Sequence, residues 1–183
     1  MNPTPSDIWS PPARIVLVEP EIPNNTGSVA RTCVATGCAL HLVHPLGFDI
    51  DEKACRRAGL DYWPRVDLTE HADLDAWERT LEALPLERGV WFFSARAGRS
   101  LYEAPVRPGD HLVFGRESVG LPPALLDHHP DRQISIPLRP GERSLNLSNA
   151  VSIAVYEMVR NMIGSGSARV DSGGRLHPGS GAP

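Results

Sequence analysis

Five short apolar runs limit what this chain can fold into. They are RIVLVE, LHLVH, VWFFS, HLVFG and QISIP, at residues 14–19, 40–44, 90–94, 111–115 and 133–137. Most of these runs are nearly continuous rather than alternating, which is typical of β-strands that are covered on both faces. Helical patterns separate them, so the sequence predicts an α/β fold whose mostly parallel sheet is flanked by helices.

The helical spacing of apolar residues supplies the remaining secondary structure. We expect the first helix to be capped by Asn25 or Thr26 and to end at Gly37. The longest helix follows the last strand, where apolar positions recur every three or four residues. The predicted helices cover residues 26–36, 51–58, 75–84 and 147–162, with a short one after residues 122–123.

The two ends of the chain differ in composition from the middle. Residues 1–13 hold four prolines, and residues 164–183 hold six of the 16 glycines with almost no large apolar side chain. Such segments bury too little apolar surface to offset the entropy that ordering costs. We therefore expect one domain at residues 14–163, between a flexible N-terminal segment and a disordered tail.

Charge and hydropathy restrict the class of function. The formal net charge of −4 disfavours a protein that coats nucleic acid by bulk attraction, because such proteins need an excess of Lys and Arg. Any RNA contact must then be local, and the arginines are indeed grouped at positions 56–57, 96 with 99, and 139 with 143. The sequence has neither a membrane-length apolar run nor a leader pattern, so we expect a cytoplasmic protein.

Several catalytic motifs are missing from the sequence. The seven histidines lack metal-binding spacing such as HExxH, so we expect no metal. The three cysteines fit neither a CxxC motif nor a paired zinc knuckle, and we expect reduced thiols. A GxSxG elbow, a GxGxxG fingerprint and a Walker loop are also missing, which disfavours hydrolases, nicotinamide-dependent enzymes and ATPases.

Polar loops follow three predicted strands, at the sheet edge where ligands gather in parallel α/β folds. PEIPNNTG leads into a helix bearing Arg31, and offers amide donors and a positive charge to a phosphate or ribose. FGRESVGLP has glycines that let backbone approach a ligand, and IPLRPGERSLNLSNA alternates polar residues with leucines. The structural alternatives are a capped surface helix, a tight turn with an ion pair, and side chains that only cap the last helix.

These loops, in this order and at these strand ends, resemble a known family. PEIPNNTGSVART, LVFGRESVGLP and IPLRPGERSLNLSNAVSIAVYE are similar to the three motifs of the SPOUT class of RNA methyltransferases. RRAGLDYW resembles the small bacterial members that methylate the ribose of tRNA nucleotide 34, a cytidine or modified uridine. The resemblance covers about residues 14–162. It implies a C-terminal trefoil knot, a homodimer, S-adenosyl-L-methionine as cofactor and tRNA as substrate.

The resemblance also assigns roles by position. Arg31 matches the arginine held to activate the ribose hydroxyl, and Asn146 and Ser148 join it as catalytic candidates. A free arginine is always protonated, so we expect Arg31 to hold the target's phosphate and hydroxyl while the third motif orients them. The candidate RNA contacts are Asn24, Arg56, Arg57, Arg96 and Arg143. The candidate cofactor contacts are Phe93, Ser94, Gly115, Glu117, Gly120, Ile136, Leu138, Ser144, Leu145 and Asn149.

Three other functions remain compatible with the sequence. One is a related 2′-O-methyltransferase that acts on rRNA or on another tRNA position. Another is a catalytically idle RNA-binding protein on the same scaffold, which the presence of Arg31, Glu117 and Asn149 disfavours. The last is an unrelated nucleotide-binding α/β enzyme without a knot.

Overall fold

The computed structural model describes residues 11–49, 61–82 and 89–179, and its central element is a six-stranded sheet. The order is β3-β2-β1-β5-β4-β6, and every pairing is parallel. The predicted α/β class with a mostly parallel sheet is confirmed. The strands are β1 (Arg14–Val18), β2 (Ala39–Val43), β3 (Leu68–His71), β4 (Val90–Phe93), β5 (His111–Phe114) and β6 (Gln133–Ile134).

Helices cover both faces of this sheet. Short 3₁₀ turns lie at Trp63–Arg65 and Pro130–Arg132. The helix predicted at residues 51–58 lies outside the described residues. The four described α-helices are α1 (Pro23–Thr36), α2 (Leu74–Leu81), α3 (Pro123–His128) and α4 (Leu147–Gly164).

Alternating side chains of the strands enter two separate cores. Ile15 and Leu40 belong to the larger core, which α1 and α4 cover. Val16 and Val113 point to the opposite face and pack in a second core with Trp77 of α2. Because both faces are buried, each central strand needs consecutive apolar residues, which is the pattern of the sequence. β3 escaped prediction because this edge strand, LTEH, is largely exposed and has no apolar run.

The start of α1 differs from the prediction. Its N-cap is Ile22, which makes no side-chain cap bond, and Pro23 follows it. Proline suits the first helical position because it has no N–H to satisfy. Asn25 and Thr26, the predicted caps, are instead buried within the first turn. The other end is as predicted, since Gly37 closes the helix in the left-handed conformation with φ of 78°.

The structure also corrects the predicted ends of the domain. Residues 1–10 and 180–183 lie outside the described residues, but Pro12 and Ala13 are already buried. Residues 164–179, predicted to be disordered, finish α4 and form an antiparallel hairpin of β7 (Ala168–Val170) and β8 (Leu176–Pro178). The Asp171 carboxylate accepts hydrogen bonds within the turn, and the buried Ala168 packs on the larger core. Local hydrogen bonds order the hairpin where apolar content is low.

Two histidines lie side by side on β2 and β3. His41 Nδ1 and His71 Nε2 are 2.9 Å apart, and the two rings stack. The pKa of His41 is lowered from 6.5 to about 4, mainly by burial and to a smaller extent by the neighbouring His71 and Arg14. Burial also lowers the pKa of His71. Both rings are therefore neutral at pH 7 and share one hydrogen bond.

We expect acid to weaken the fold through this pair. The folded-state pKa of His41 lies below the unfolded one, so the unfolded chain binds more protons between pH 6.5 and about 4. The free energy of unfolding should fall as pH drops through that window. Urea unfolding across the window should show a shallower fall for His41→Gln than for the control His128→Gln, whose side chain is exposed. Parallel curves for the two variants would contradict this assignment.

Candidate active site

The carboxyl ends of β1 and β5 define the centre of the candidate site. These strands are neighbours, yet β2 and β3 lie to one side of them and β4 and β6 to the other. Such a reversal of strand order is where open α/β sheets bind ligands. The predicted polar loops after β1 and β5 therefore meet at this point.

Two glutamates hold these loops together. The Glu117 carboxylate accepts hydrogen bonds from the backbone N–H groups of Glu21 and Ile22, at 2.9 and 3.3 Å, and from Asn25 Nδ2 at 2.9 Å. In return, Ser118 donates to the Glu21 carboxylate through its backbone N at 2.9 Å and its Oγ at 2.8 Å. Each loop thus donates hydrogen bonds to the glutamate carboxylate of the other loop. We call these reciprocal hydrogen bonds the glutamate exchange.

The glycines of the second motif serve the loop itself. Gly120 has φ of 77°, and it forms backbone hydrogen bonds in both directions with Arg116. A Cβ on Gly115 would lie 2.2 Å from the carbonyl carbon of Gly120. The charged pair expected within this turn is also different, because Arg116 pairs with Glu19 at the end of β1. The close approach that requires glycine is therefore between two parts of the same loop.

The third motif joins the exchange through asparagine side chains. Asn146 Nδ2 donates to Asn25 Oδ1 at 2.9 Å. Asn146 Oδ1 accepts from Ser148 through both N and Oγ, at 3.0 and 2.7 Å, and so caps α4. A continuous hydrogen-bonded chain runs from Glu117 through Asn25 and Asn146 to Ser148. It links all three predicted loops, and the structure brings the catalytic candidates Asn146 and Ser148 together.

The bridge between motifs is made by Asn25, which was not among the predicted site residues, and not by its neighbour Asn24. The candidate Asn24 is exposed, whereas Asn25 is 7% exposed and bridges two motifs. A signal was available, since Asn25, Val29 and Cys33 are spaced by four residues and share the inward stripe of the helix. Asn24 stays a predicted RNA contact, because its exposure leaves it accessible.

Arg31 lies apart from this chain, on the exposed face of α1. Its guanidinium carbon is 4.5 Å from the centroid of the Tyr62 ring, and Nη2 is 4.0 Å from the Asp61 carboxylate. The Tyr62 hydroxyl donates to Gly27 O at 2.9 Å, which fixes the ring against the helix. With a 68% exposed side chain, Arg31 is held by its aromatic neighbour yet accessible. It lies six residues beyond Asn25, about 9 Å along the helix axis.

The candidate cofactor residues lie along the ends of β4, β5 and β6. The Phe93 and Phe114 rings stack with centroids 4.3 Å apart, and Ile136 packs against the larger core. Leu138 and Leu145 are 39% and 37% exposed. Among the described residues, the 136–145 loop makes one backbone hydrogen bond, from Glu142 N to Arg139 O. The 136–145 loop thus combines exposed apolar side chains with backbone N–H and C=O groups that make few hydrogen bonds to other backbone groups.

Several remaining candidates keep their standing as predictions. Ser94 Oγ accepts from Arg96 N at 3.3 Å, Asn149 N is 3.4 Å from Asn146 Oδ1, and Ser144 is exposed. Arg96 and Arg143 are exposed, as RNA contacts must be. Arg56 and Arg57 lie outside the described residues.

The described residues contain neither a cluster of metal ligands nor a membrane-spanning helix. In residues 11–49, 61–82 and 89–179, no group of three or more His, Cys, Asp or Glu side chains could hold a metal ion. None of the helices within those ranges has the length and hydropathy to cross a membrane.

Comparison with known proteins places the chain in a family. Residues 12–156 match the model of the SpoU rRNA Methylase family. The chain belongs to this family. It is 46% identical over 147 residues to the tRNA (cytidine(34)-2′-O)-methyltransferase of Burkholderia pseudomallei, a match that covers 80% of this chain and 93% of the relative. The SPOUT resemblance drawn from the three motifs is therefore confirmed.

Solved structures agree with the family. A structure described as giving insights into the 2-OH methylation of C/U34 on tRNA is 49% identical, with a TM-score of 0.75, and the match covers 83% of this chain and 97% of that one. An AdoMet-bound rRNA methyltransferase from Sinorhizobium meliloti shares the fold at 22% identity and a TM-score of 0.71, over 84% of this chain and 61% of that one.

The adjacent asparagines of α1 offer a matched test of the site. Asn25→Ala should lower the free energy of unfolding by about 1–3 kcal/mol, because it removes two hydrogen bonds and leaves Asn146 Nδ2 without its partner. Asn24→Ala, an exposed change on the same helix turn, should alter it by less than about 0.5 kcal/mol. Urea unfolding measures both values. Equal effects of the two variants would contradict the bridging role of Asn25.

Proposed function

We propose that this protein is an S-adenosyl-L-methionine-dependent tRNA methyltransferase that modifies the ribose 2′-hydroxyl of nucleotide 34, a cytidine or modified uridine. The observation that carries the proposal is the hydrogen-bonded chain from Glu117 to Ser148, which unites the three motif loops at the sheet's switch point. The names of the relatives supply the substrate class and the position.

The residues at the ends of β4, β5 and β6 fit S-adenosyl-L-methionine. An adenosyl group needs an apolar surface together with backbone donors and acceptors for its polar edges. Leu138 and Leu145 offer the first, and the sparsely bonded 136–145 loop offers the second. When bound, the cofactor supplies a methyl group on a sulfonium. The residues proposed to hold it are Phe93, Ser94, Gly115, Gly120, Ile136, Leu138, Ser144, Leu145 and Asn149, with Glu117 fixing the loop around them.

Ser148 and Asn146 are placed to orient the ribose. The Ser148 hydroxyl donates a hydrogen bond to Asn146 Oδ1. The lone pairs of the Ser148 oxygen therefore remain available to accept a hydrogen bond from a 2′-hydroxyl. Asn146 is itself fixed by Asn25, which keeps the hydroxyl of Ser148 in one direction. Holding the nucleophile close to the methyl group is the main requirement of an in-line displacement.

Arg31 contributes positive charge rather than a base. An arginine guanidinium is a cation that donates hydrogen bonds and accepts none. Contact with the target's phosphate and hydroxyl lowers the cost of negative charge on the attacking oxygen. The Tyr62 ring limits where the guanidinium can move.

We also propose a homodimer and a knotted chain, as the SPOUT resemblance implies. We infer that a homodimer covers exposed apolar side chains such as Tyr156 and Ile163 on α4 and Val119 in the second motif, which are 58%, 41% and 75% exposed. The trefoil knot would involve the loops after β5 and β6. A tRNA substrate would place the enzyme in the cytoplasm.

Mass spectrometry of tRNA nucleosides tests the reaction. Purified protein is incubated with S-adenosyl-L-methionine and tRNA that lacks its own modification, and digestion locates any 2′-O-methyl group. Methylation at nucleotide 34 supports the proposal. The family description makes rRNA the second candidate target, so an rRNA fragment is assayed in parallel. Methylation of rRNA alone would change the substrate, and absence of cofactor binding would leave an idle RNA-binding protein.

Arg31→Ala separates catalysis from cofactor binding. Turnover on tRNA should fall at least about 100-fold, because charge stabilisation at the attacking oxygen is lost. Affinity for S-adenosyl-L-methionine, measured by calorimetry, should stay within about twofold. Arg79→Ala removes an exposed arginine of α2, on the opposite face of the sheet, and serves as the control. Loss of cofactor affinity in Arg31→Ala would remove Arg31 from its assigned role.

A further inference from the structure

A cleft beside the outer edge of β6 is not explained by the methyl-transfer site. It encloses about 260 Å³ between the turn after β4 and the 3₁₀ turn at Pro130–Arg132. We propose that this arginine cleft binds backbone phosphate of the substrate RNA outside the target nucleotide, a proposal that rests on the proposed function. The cleft is lined by Arg96, Ala97, Gly98, Arg99, Pro130, Asp131 and Gln133.

Local charge favours an anion in the cleft. Arg96 and Arg99 are both exposed, and Arg132 is the next residue in the sequence after the lining residue Asp131. Asp131 is the one acid in the lining. In the described part of the chain, the guanidinium of Arg96 has no hydrogen-bond or ion-pair partner. A chain with a net charge of −4 thus presents a concentration of cations at this point.

The backbone around the cleft is fixed before any ligand arrives. Ser94 accepts hydrogen bonds from Arg96 N and Ala97 N, through Oγ at 3.3 Å and O at 3.2 Å. Further along, Ser135 N donates to Arg99 O at 2.9 Å, and Leu101 N donates to Ser135 O at 2.8 Å. These bonds attach the turn to the outer side of β6. The arginines therefore project from a preformed frame, which reduces the entropy that binding costs.

Arg99 is also held across the cleft. Its Nη1 donates to the backbone oxygen of Asp131 at 3.3 Å, which leaves the other nitrogens of the guanidinium free to donate to a ligand. A planar guanidinium with parallel N–H groups matches two oxygens of one phosphate. The space beside Gly98 is open, because a Cβ at that position would meet nothing within 4 Å.

The lining favours a phosphate over a base. Proteins that grip unpaired bases stack them on aromatic rings, and none of the lining residues is aromatic. Trp91 is 2% exposed, and Arg132 lies over its ring at 5.1 Å. The turn begins at the carboxyl end of β4, immediately after Phe93 and Ser94. An RNA that enters the candidate site can therefore extend towards this edge of the sheet.

Salt-dependent binding of unmodified tRNA tests the cleft. The double variant Arg96→Ala/Arg99→Ala should raise Kd at least about tenfold at low salt and reduce the slope of log K against log[salt] by about 0.7–1.4, which corresponds to one or two lost phosphate contacts. KM for tRNA should rise with Kd. The control Arg79→Ala/Arg169→Ala removes the same charge from two exposed positions away from the cleft and should leave the slope as it is.

A second variant works in the opposite direction and does not depend on loss of structure. Asp131→Asn removes the one acid of the lining and should tighten tRNA binding about two- to threefold at low salt. If the wild-type protein neither binds nor methylates tRNA, the proposed function fails. If it methylates tRNA while Arg96→Ala/Arg99→Ala and Asp131→Asn both keep the wild-type Kd and salt slope, the proposal for the cleft fails alone.

Discussion

The glutamate exchange is the interaction on which the rest of the site depends. Glu117 and Glu21 lie 96 residues apart in sequence, yet each accepts hydrogen bonds from the other's loop. Because the donors are mostly backbone N–H groups, the exchange fixes the path of the chain and not only the side chains. Asn25 is hydrogen-bonded both to Glu117 and to Asn146, so it connects the two loops to the first turn of α4. The catalytic candidates Asn146 and Ser148 are positioned by a network that none of the three motifs could form alone.

Much of the fold could be predicted from the sequence, because strands that are buried on both faces need nearly continuous runs of apolar residues. Five of the six sheet strands carry apolar runs, and the runs predicted their positions to within a few residues. β3 has no apolar run because it is a largely exposed edge strand. The hairpin of β7 and β8 is held by the side chain of Asp171 on its own turn, an effect that composition does not record.

The candidate site was predicted less completely, for a different reason. Motif position identified Arg31, Asn146 and Ser148 but gave no account of how they are held. The distance along α1 that separates Arg31 from Asn25 requires the tertiary structure, as does the aromatic ring beneath Arg31. Gly115 and Gly120 stay predicted cofactor contacts, and the structure adds a close approach between them within their own loop, which spacing alone does not reveal.

The two ends of α4 contact different parts of the structure. Asn146 caps the first turn at the site, and Gly164 ends the helix 18 residues later, where the β7–β8 hairpin packs. A helix of that length extends about 27 Å. A fusion partner or surface linker attached after the hairpin would therefore hang from the end of the molecule that faces away from the motif loops. Immobilisation through the C-terminus leaves the approach of a large RNA unobstructed.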